Sequence, residues 1–185
     1  DIAIFIEGSV WYTAVVPVGG DHVTSDISQG LHMPLETAET VKRRHGEALQ
    51  AGVDPQQGFA VRPFGQEKSV QGQLSDLAAI IEPRVEELFG LVRQEIKRSG
   101  YDGLLPAGVV LTGGTSLLKG IREAAGRVLN LPVRAAQPQE LRGLVDQLRS
   151  PAYSASLGLL QWARLQDEQM LNARLYPEIP PSAHH

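Results

Sequence analysis

The sequence predicts an α/β fold in which a mixed sheet flanked by helices is interrupted by an inserted α/β subdomain. Three observations support this class. Short β-branched runs open the chain, Leu74–Arg98 has the apolar period of a long helix, and residues 107–121 place a paired glycine turn between a strand and a helix. Strands come first, helices next, and a strand–helix–strand–helix order last, which indicates a sheet with an insertion.

The N-terminal segment predicts a β-hairpin. Residues 2–6 favour a strand, and residues 10–18 favour its partner after a turn at Glu7 and Gly8. The glycine pair at 19–20 then ends the second strand.

Two helices and an irregular segment follow. Residues 22–31 predict the first helix. Pro34 suits the first helical position of the second, and Gly46 its end. Residues 52–72 are rich in glycine, proline and glutamine and contain one expected strand, at 59–64.

The longest periodic segment is Leu74–Arg98, which predicts a helix. Pro83 lies inside it and has no N–H to donate, so we expect a kink or break near Ile81 and Glu82. The apolar positions at helical spacing are Leu77, Ile81, Val85, Leu88, Val92 and Ile96.

A paired glycine turn, Gly113 and Gly114, follows Val109–Leu111, a strand that we expect to be buried on both faces. Glycine has no Cβ, so the backbone can turn sharply here and let a flat or phosphorylated ligand approach closely. Thr115 or Ser116 is expected to cap the following helix. A tight strand-to-helix connection without any ligand is the alternative.

The C-terminal part predicts a strand at 131–135, a short helix or turn at 140–148, and a helix at 152–165 that begins with Ser150 and Pro151. The remaining residues are polar and proline-interrupted. We therefore expect a tail with little fixed structure at 166–185.

The composition excludes several classes of protein. A net charge of −4 argues against a general nucleic-acid binder, because that affinity comes mainly from basic residues. The chain has no cysteine, which excludes thiolate metal sites and cysteine nucleophiles. The five histidines have no metal-ligand spacing, and we assign no metal site and no catalytic residue.

The pattern VLTGGTSLL, followed by LPVRAAQP, resembles the adenosine motif of the actin, Hsp70 and hexokinase superfamily. Four further stretches occur in the order expected for the FtsA family of bacterial cell-division proteins: DIAIFIEG, TAVVPVGGDHVTSDI, IIEPRVEELF and SPAYSASLGLL. Each is weak evidence alone, whereas their order over about residues 1–165 is specific.

This resemblance implies half of an actin-like, RNase H-like ATPase. Residues 1–25 with 102–165 would form a subdomain called 2A, and residues 26–101 the inserted subdomain 2B. The implied protein binds ATP with Mg²⁺ and, at full length, is expected to be a weak ATPase. This half of the cleft alone is expected to be inactive.

The resemblance also implies a cellular role. Such a protein anchors FtsZ filaments to the cytoplasmic face of the inner membrane at the division site, recruits later division proteins, and self-associates into actin-like filaments. Membrane contact would be made through another segment, because the prolines after residue 175 prevent an amphipathic helix there.

The resemblance assigns the nucleotide to four segments of this chain. Glu39 and Lys42 are three residues apart and share a helix face; they would contact the ribose and adenine, and a solvated ion pair is the alternative. The glycine pair at 19–20 would lie beside the phosphates, or simply end a strand. Asp1 would close a phosphate loop, or be a frayed terminus. The assigned residues are Asp1, Gly19, Gly20, Glu39, Lys42, Gly113, Gly114 and Thr115.

A second surface is implied on the long helix. The resemblance places the docking site of the FtsZ C-terminal peptide in subdomain 2B, and Arg84 with Glu87 would contact that acidic peptide. A surface ion pair on a solvated helix face is the alternative. Within the superfamily, a type IV pilus platform protein and a sugar or acetate kinase are the other candidates, and a filament module that binds no nucleotide is a third.

Overall fold

The computed structural model describes residues 1–65, 68–138 and 146–175. It opens with strands β1 (Ile2–Ile6) and β2 (Ser9–Ala14), which pair antiparallel. The tight turn places Glu7 at φ 50° and Gly8 at φ 82°. The predicted hairpin is confirmed, but β2 ends well before residue 18. Pro17 has no N–H to continue the ladder and biases the residue before it, which explains the early end.

Helices α1 (Gly20–Gly30) and α2 (Leu35–His45) come next. Both predicted helices are confirmed, and α1 starts two residues earlier than expected. Pro34 precedes α2 with ψ 146° and is therefore outside the helix, not at its first position. Gly46 ends α2 as predicted, and its N–H donates to the carbonyl oxygen of Lys42 at 2.9 Å.

The irregular segment contains a 3₁₀ turn (Gln50–Gly52) and a second hairpin of β3 (Gly58–Val61) and β4 (Val70–Gln73). The predicted strand at 59–64 is correct only in its first half. Strand β4 was not predicted, because its sequence VQGQ lacks the alternation and β-branched content that indicate a strand.

Helix α3 (Leu74–Arg98) is one continuous helix with Pro83 inside it. Of the expected kink or break near Ile81 and Glu82, the break is therefore wrong, and the kink stays a prediction. A proline in a helix interior costs about 3 kcal/mol, because it lacks the N–H and its ring clashes with the preceding turn. The helix buries Leu77, Ile81, Val85 and Phe89 on both sides of the proline, and this burial offsets that cost.

Strands β5 (Val109–Leu111) and β6 (Val133–Ala135) pair in parallel, and the connection includes a 3₁₀ turn (Gly114–Leu117) and helix α4 (Ile121–Leu129). The expectation that β5 is buried on both faces is wrong, because Val110 is 45% exposed. In the described residues this sheet has only two strands, and a cavity of about 1310 Å³ lies beside β5.

The described C-terminal part contains 3₁₀ turns at Asp146–Arg149 and Pro151–Tyr153, followed by α5 (Ser154–Leu175). Ser150 accepts a hydrogen bond from the N–H of Ala152 at 3.3 Å, so the predicted cap is present on the short turn. The expected tail without structure is wrong for residues 166–175, which continue α5 and whose sequence contains mostly good helix formers. Residues 176–185, and most of the turn expected at 140–148, lie outside the described ranges.

The apolar core lies between α1, α2, α3 and α4, and its largest fully buried side chains are Val23, Ile27, Met33, Leu77, Ile81 and Val85. The α/β class is confirmed, although the described strands form three two-stranded sheets instead of one mixed sheet. Helices α3 and α4 pack together across the expected boundary between 2B and 2A. Within the described ranges, no helix is both long and apolar enough to cross a membrane.

Candidate functional site

An open cleft of about 1340 Å³ contains most of the predicted nucleotide residues. One wall comes from the start of α1 and from α2, and the other from the segment after β5 and from the turn Pro151–Tyr153. Gly113 is the only member of the predicted set that does not line this cleft. The members that do are Asp1, Gly19, Gly20, Glu39, Lys42, Gly114 and Thr115.

Lys42 of α2 lines the cleft and joins α2 to α1. Its side chain is only 10% exposed. The ammonium donates to the carbonyl oxygen of Gly20 at 3.0 Å and to Thr24 Oγ1 at 2.7 Å, and it lies 2.6 Å from Glu39 Oε2. A buried lysine requires such partners, because burial of an unpaired charge is very unfavourable. The lysine half of the Glu39–Lys42 pair is therefore not a solvated surface charge.

Glu39 is the exposed member of this network, with 42% of its side chain accessible. Burial raises the pKa of Glu39. Hydrogen bonds from Lys42 and Thr24, together with the positive charges of Lys42 and Arg43, lower the pKa by more than burial raises it, so the net shift is downward. The carboxylate therefore stays ionised at neutral pH and presents acceptor oxygens to the cleft.

Thr24 completes the network, and it was not among the residues predicted for the site. Its hydroxyl donates to Glu39 Oε2 at 2.6 Å while accepting from Lys42. The signal that could have found it is its spacing: Thr24 lies one helical turn after Gly20, so both face the same side of α1.

Gly20 marks the place where the two walls meet. A Cβ at this position would lie 2.3 Å from Thr115 Oγ1 and 3.6 Å from Lys42 Nζ. Only glycine allows this close approach without displacing Thr115. Gly19 differs, because a Cβ there would meet open space.

In the turn after β5, the two glycines have different roles. Gly113 has φ 88°, a conformation that side chains of L-residues disfavour, whereas a Cβ on Gly114 would lie 3.8 Å from Ala152 Cβ in ordinary contact. The predicted cap by Thr115 or Ser116 is wrong. A 3₁₀ turn intervenes, α4 begins only after Gly120, and Ser116 donates instead to the carbonyl oxygen of Gly113 at 2.7 Å.

Two further cations at the cleft were missed. Arg43 and Arg44 line it beside Lys42, and among the described residues neither has a carboxylate within 4.0 Å. The run KRRH at the end of α2 is the signal that could have found them. Such a run also fits compensation of the helix dipole, so the sequence alone does not distinguish the two roles.

Arg84 and Glu87 lie outside this cleft, on α3. Arg84 Nε donates to Asp26 Oδ2 at 2.6 Å, a second nitrogen donates to Oδ1 at 3.0 Å, and the guanidinium also contacts Glu87. These contacts, Asp26 first, raise the pKa of Arg84. The structure thus adds an intramolecular partner on α1, and the role of Arg84 in peptide binding stays a prediction.

The fold resembles two crystal structures of MreB5 from Spiroplasma citri, one bound to ADP and one bound to AMPPNP. The TM-scores are 0.64 and 0.63, with sequence identities of 15% and 16%. The similarity covers 95% and 90% of this chain, and 52% and 51% of the respective MreB chains. The chain therefore has an actin-like fold.

Residues 1–158 match the profile of the family described as "Cell division protein FtsA". FtsA of Pseudomonas aeruginosa is 43% identical over 162 residues, that of Neisseria meningitidis 41% over 164, and that of Escherichia coli K12 37% over 171. These alignments cover 88%, 88% and 89% of this chain, but only 39%, 40% and 41% of the relatives.

The chain belongs to the FtsA family of cell-division proteins, and it spans about two fifths of the length of these curated relatives. The resemblance read from the sequence is confirmed. The pilus platform protein and the kinase are thereby replaced as candidates.

Proposed function

We propose that this chain forms one side of an ATP-binding cleft in an actin-like cell-division protein. The observation that carries the proposal is the network in which buried Lys42 joins Gly20, Thr24 and Glu39 at the place where Thr115 of the opposite wall approaches. Three segments distant in sequence thus place a cation, an ionised acceptor and bare backbone around one cleft.

Each part of the cleft suits one part of ATP. Glu39 offers carboxylate oxygens to ribose hydroxyls, and Arg43 offers a planar cation on which a base can stack. The N-terminus of α1 also lines the cleft, and the unpaired N–H groups of a helix start favour phosphate. Mg²⁺ is usually held by phosphates together with one or two carboxylates, and Asp1 supplies such a group at the rim.

The test is an ATP titration of this chain followed by NMR chemical shifts, which detect weak binding. Wild-type protein should show shifts confined to α1, α2 and residues 113–119. Lys42→Ala should weaken binding at least about tenfold, because a charge-assisted network worth about 1.5–3 kcal/mol is lost. Lys97→Ala, which removes a lysine from α3 outside the cleft, is the matched control and should bind like the wild type.

Two results would contradict this proposal. One is the absence of any shift at saturating ATP, and the other is equal affinity of the Lys42→Ala variant with its fold intact by circular dichroism. The first result would favour a filament module that binds no nucleotide.

The family supports a cellular role for the intact protein. We propose that it anchors FtsZ filaments at the cytoplasmic face of the inner membrane at the division site, self-associates into actin-like filaments and recruits later division proteins. Within this chain, the surface around Arg84 and Glu87 on α3 would bind the acidic C-terminal peptide of FtsZ. The Arg84 side chain is 28% exposed, so part of it remains accessible beside Asp26.

A further inference from the structure

We propose that Glu47 is a positioning residue of the cleft. Its buried carboxylate fixes residues 115–120, one wall of the cleft, against the end of α2. The ligand part of this inference rests on the proposed ATP site, whereas the placement of the wall does not.

Glu47 is deeply buried although its ionic partner is not. Only 6% of its side chain is exposed, and Oε2 lies 3.1 Å from Nζ of Lys119, whose side chain is 77% exposed. An exposed ammonium gives weak compensation for a buried carboxylate. The backbone reinforces the contact, because the N–H of Ala48 donates to the carbonyl oxygen of Lys119 at 2.8 Å.

Two glycines leave the space that this carboxylate fills. A Cβ on Gly120 would lie 2.0 Å from Glu47 Oε1, and a Cβ on Gly52 would lie 2.9 Å from Glu47 Cδ. These glycines belong to different segments, one just before α4 and one after α2. Any larger residue at Gly120 would displace the carboxylate, so the fit ties the two segments together through Glu47.

The charge of Glu47 also has a specific neighbour. Gly120 precedes the first residue of α4, and this helix start has no hydrogen bond from a side-chain cap within the described residues. The carboxylate therefore lies at the positive end of the α4 dipole, where an anion is favoured. Glutamine would fill the same volume without this favourable charge.

Glu47 lies between two cavities. It lines both the main cleft and an adjoining cavity of about 540 Å³, so it forms part of the partition between them. Thr115, which approaches Gly20, and Leu117 and Lys119 belong to the wall on this partition. Loss of the carboxylate should therefore loosen the wall that the nucleotide contacts.

The test compares Glu47→Gln and Glu47→Ala with Glu168→Gln, an exposed glutamate of α5 that lines neither cavity and serves as the matched control. Hydrogen–deuterium exchange is measured first, without nucleotide. We expect amides of residues 114–121 to exchange about tenfold faster in both Glu47 variants, with α3 unchanged, and no difference in the control. A uniform increase in exchange rate that includes α3 would overturn the proposal, because Glu47 would then contribute only to overall stability. An unchanged exchange rate at residues 114–121 would also overturn it, because Glu47 would then not hold the wall.

ATP titration of the same variants is the second measurement. Affinity should fall about tenfold in Glu47→Gln and stay unchanged in Glu168→Gln. Local loosening without loss of affinity would overturn the positioning role. If the wild type binds no ATP, the proposed function fails, and the exchange experiment still decides whether Glu47 fixes the wall.

Discussion

Lys42 and Arg84 are both ion-paired, but their surroundings give the two pairs different roles. Lys42 is 10% exposed and has three oxygen partners, so its removal deprives Glu39 of its cationic partner and Thr24 of the ammonium that donates to it. Arg84 and Asp26 are 28% and 25% exposed. Partly exposed pairs contribute little to stability and can exchange partners with an incoming charge. At the scale of single residues, Lys42 therefore belongs to a fixed site, and Arg84 to a surface that another carboxylate can enter.

Asp26 should compete with an acidic peptide for Arg84. Asp26→Asn removes the competing charge, and we expect it to strengthen binding of the FtsZ C-terminal peptide up to about fivefold, a change of roughly 1 kcal/mol. Arg84→Glu should weaken binding more than Arg84→Ala, and salt should weaken the wild-type complex. Fluorescence anisotropy with the labelled peptide measures all three effects.

Arg98→Glu is the control for this prediction. Arg98 lies on the same helix, about 21 Å along its axis from Arg84 at 1.5 Å per residue. Its charge reversal should leave peptide affinity unchanged if the site is local to Arg84. Equal weakening by both reversals would indicate general charge attraction, and unchanged binding by Arg84→Glu would remove Arg84 from the interface.

At the scale of elements, the turn after β5 depends on one glycine more than on the other. Gly113→Ala would force an L-residue to φ 88°, and we expect the free energy of unfolding to fall by about 1–2 kcal/mol. Gly114→Ala is the matched control, because its Cβ would meet Ala152 at 3.8 Å and should change stability little. Urea unfolding followed by circular dichroism gives both values. A larger loss for Gly114→Ala than for Gly113→Ala would contradict this assignment.

The elements that the sequence predicts well are those with a strong local signal. Turn chemistry predicts the hairpin at Glu7 and Gly8 and the end of α2 at Gly46. The spacing of apolar residues predicts the helix Leu74–Arg98. Strand β4 does not, because its partner β3 stabilises a segment that has no strand pattern of its own. The helix break expected at Pro83 fails for a similar reason, because burial of apolar side chains along α3 outweighs the local cost of a proline.

The candidate site also contains residues that were predicted from the sequence and residues that were not. Resemblance to a family supplied Lys42 and Gly114, and both line the cleft. Thr24 and Glu47 were missed. Thr24 has only a weak local signal, its position one helical turn after Gly20, and a glutamate that follows a helix has no distinguishing local pattern. Their importance depends on contacts with Glu39 and Lys119, which only the folded chain brings near.

At the scale of the whole molecule, the chain exposes large apolar side chains on two separate elements. The first hairpin exposes Phe5 by 60% and Trp11 by 64%, and α5 exposes Leu159 by 68% and Trp162 by 60%. Among the described residues, α5 packs chiefly against the turn Pro151–Tyr153, so most of its length has no apolar cover. Leu159 and Trp162 are three residues apart and share a face of α5, and exposed apolar side chains grouped in this way can form an interaction site.

We expect this surface to cause concentration-dependent self-association of the chain. Sedimentation velocity should show the mean sedimentation coefficient rising with protein concentration, and added salt should strengthen the association, because burial of apolar surface drives it. The double variant Leu159→Gln with Trp162→Gln should remain monomeric at concentrations where the wild type associates, whereas Gln161→Ala between them should behave as the wild type. A monomeric wild type at all concentrations would contradict the prediction. Association that survives in the double variant would instead assign the contact to the hairpin, which Trp11→Gln tests in the same experiment.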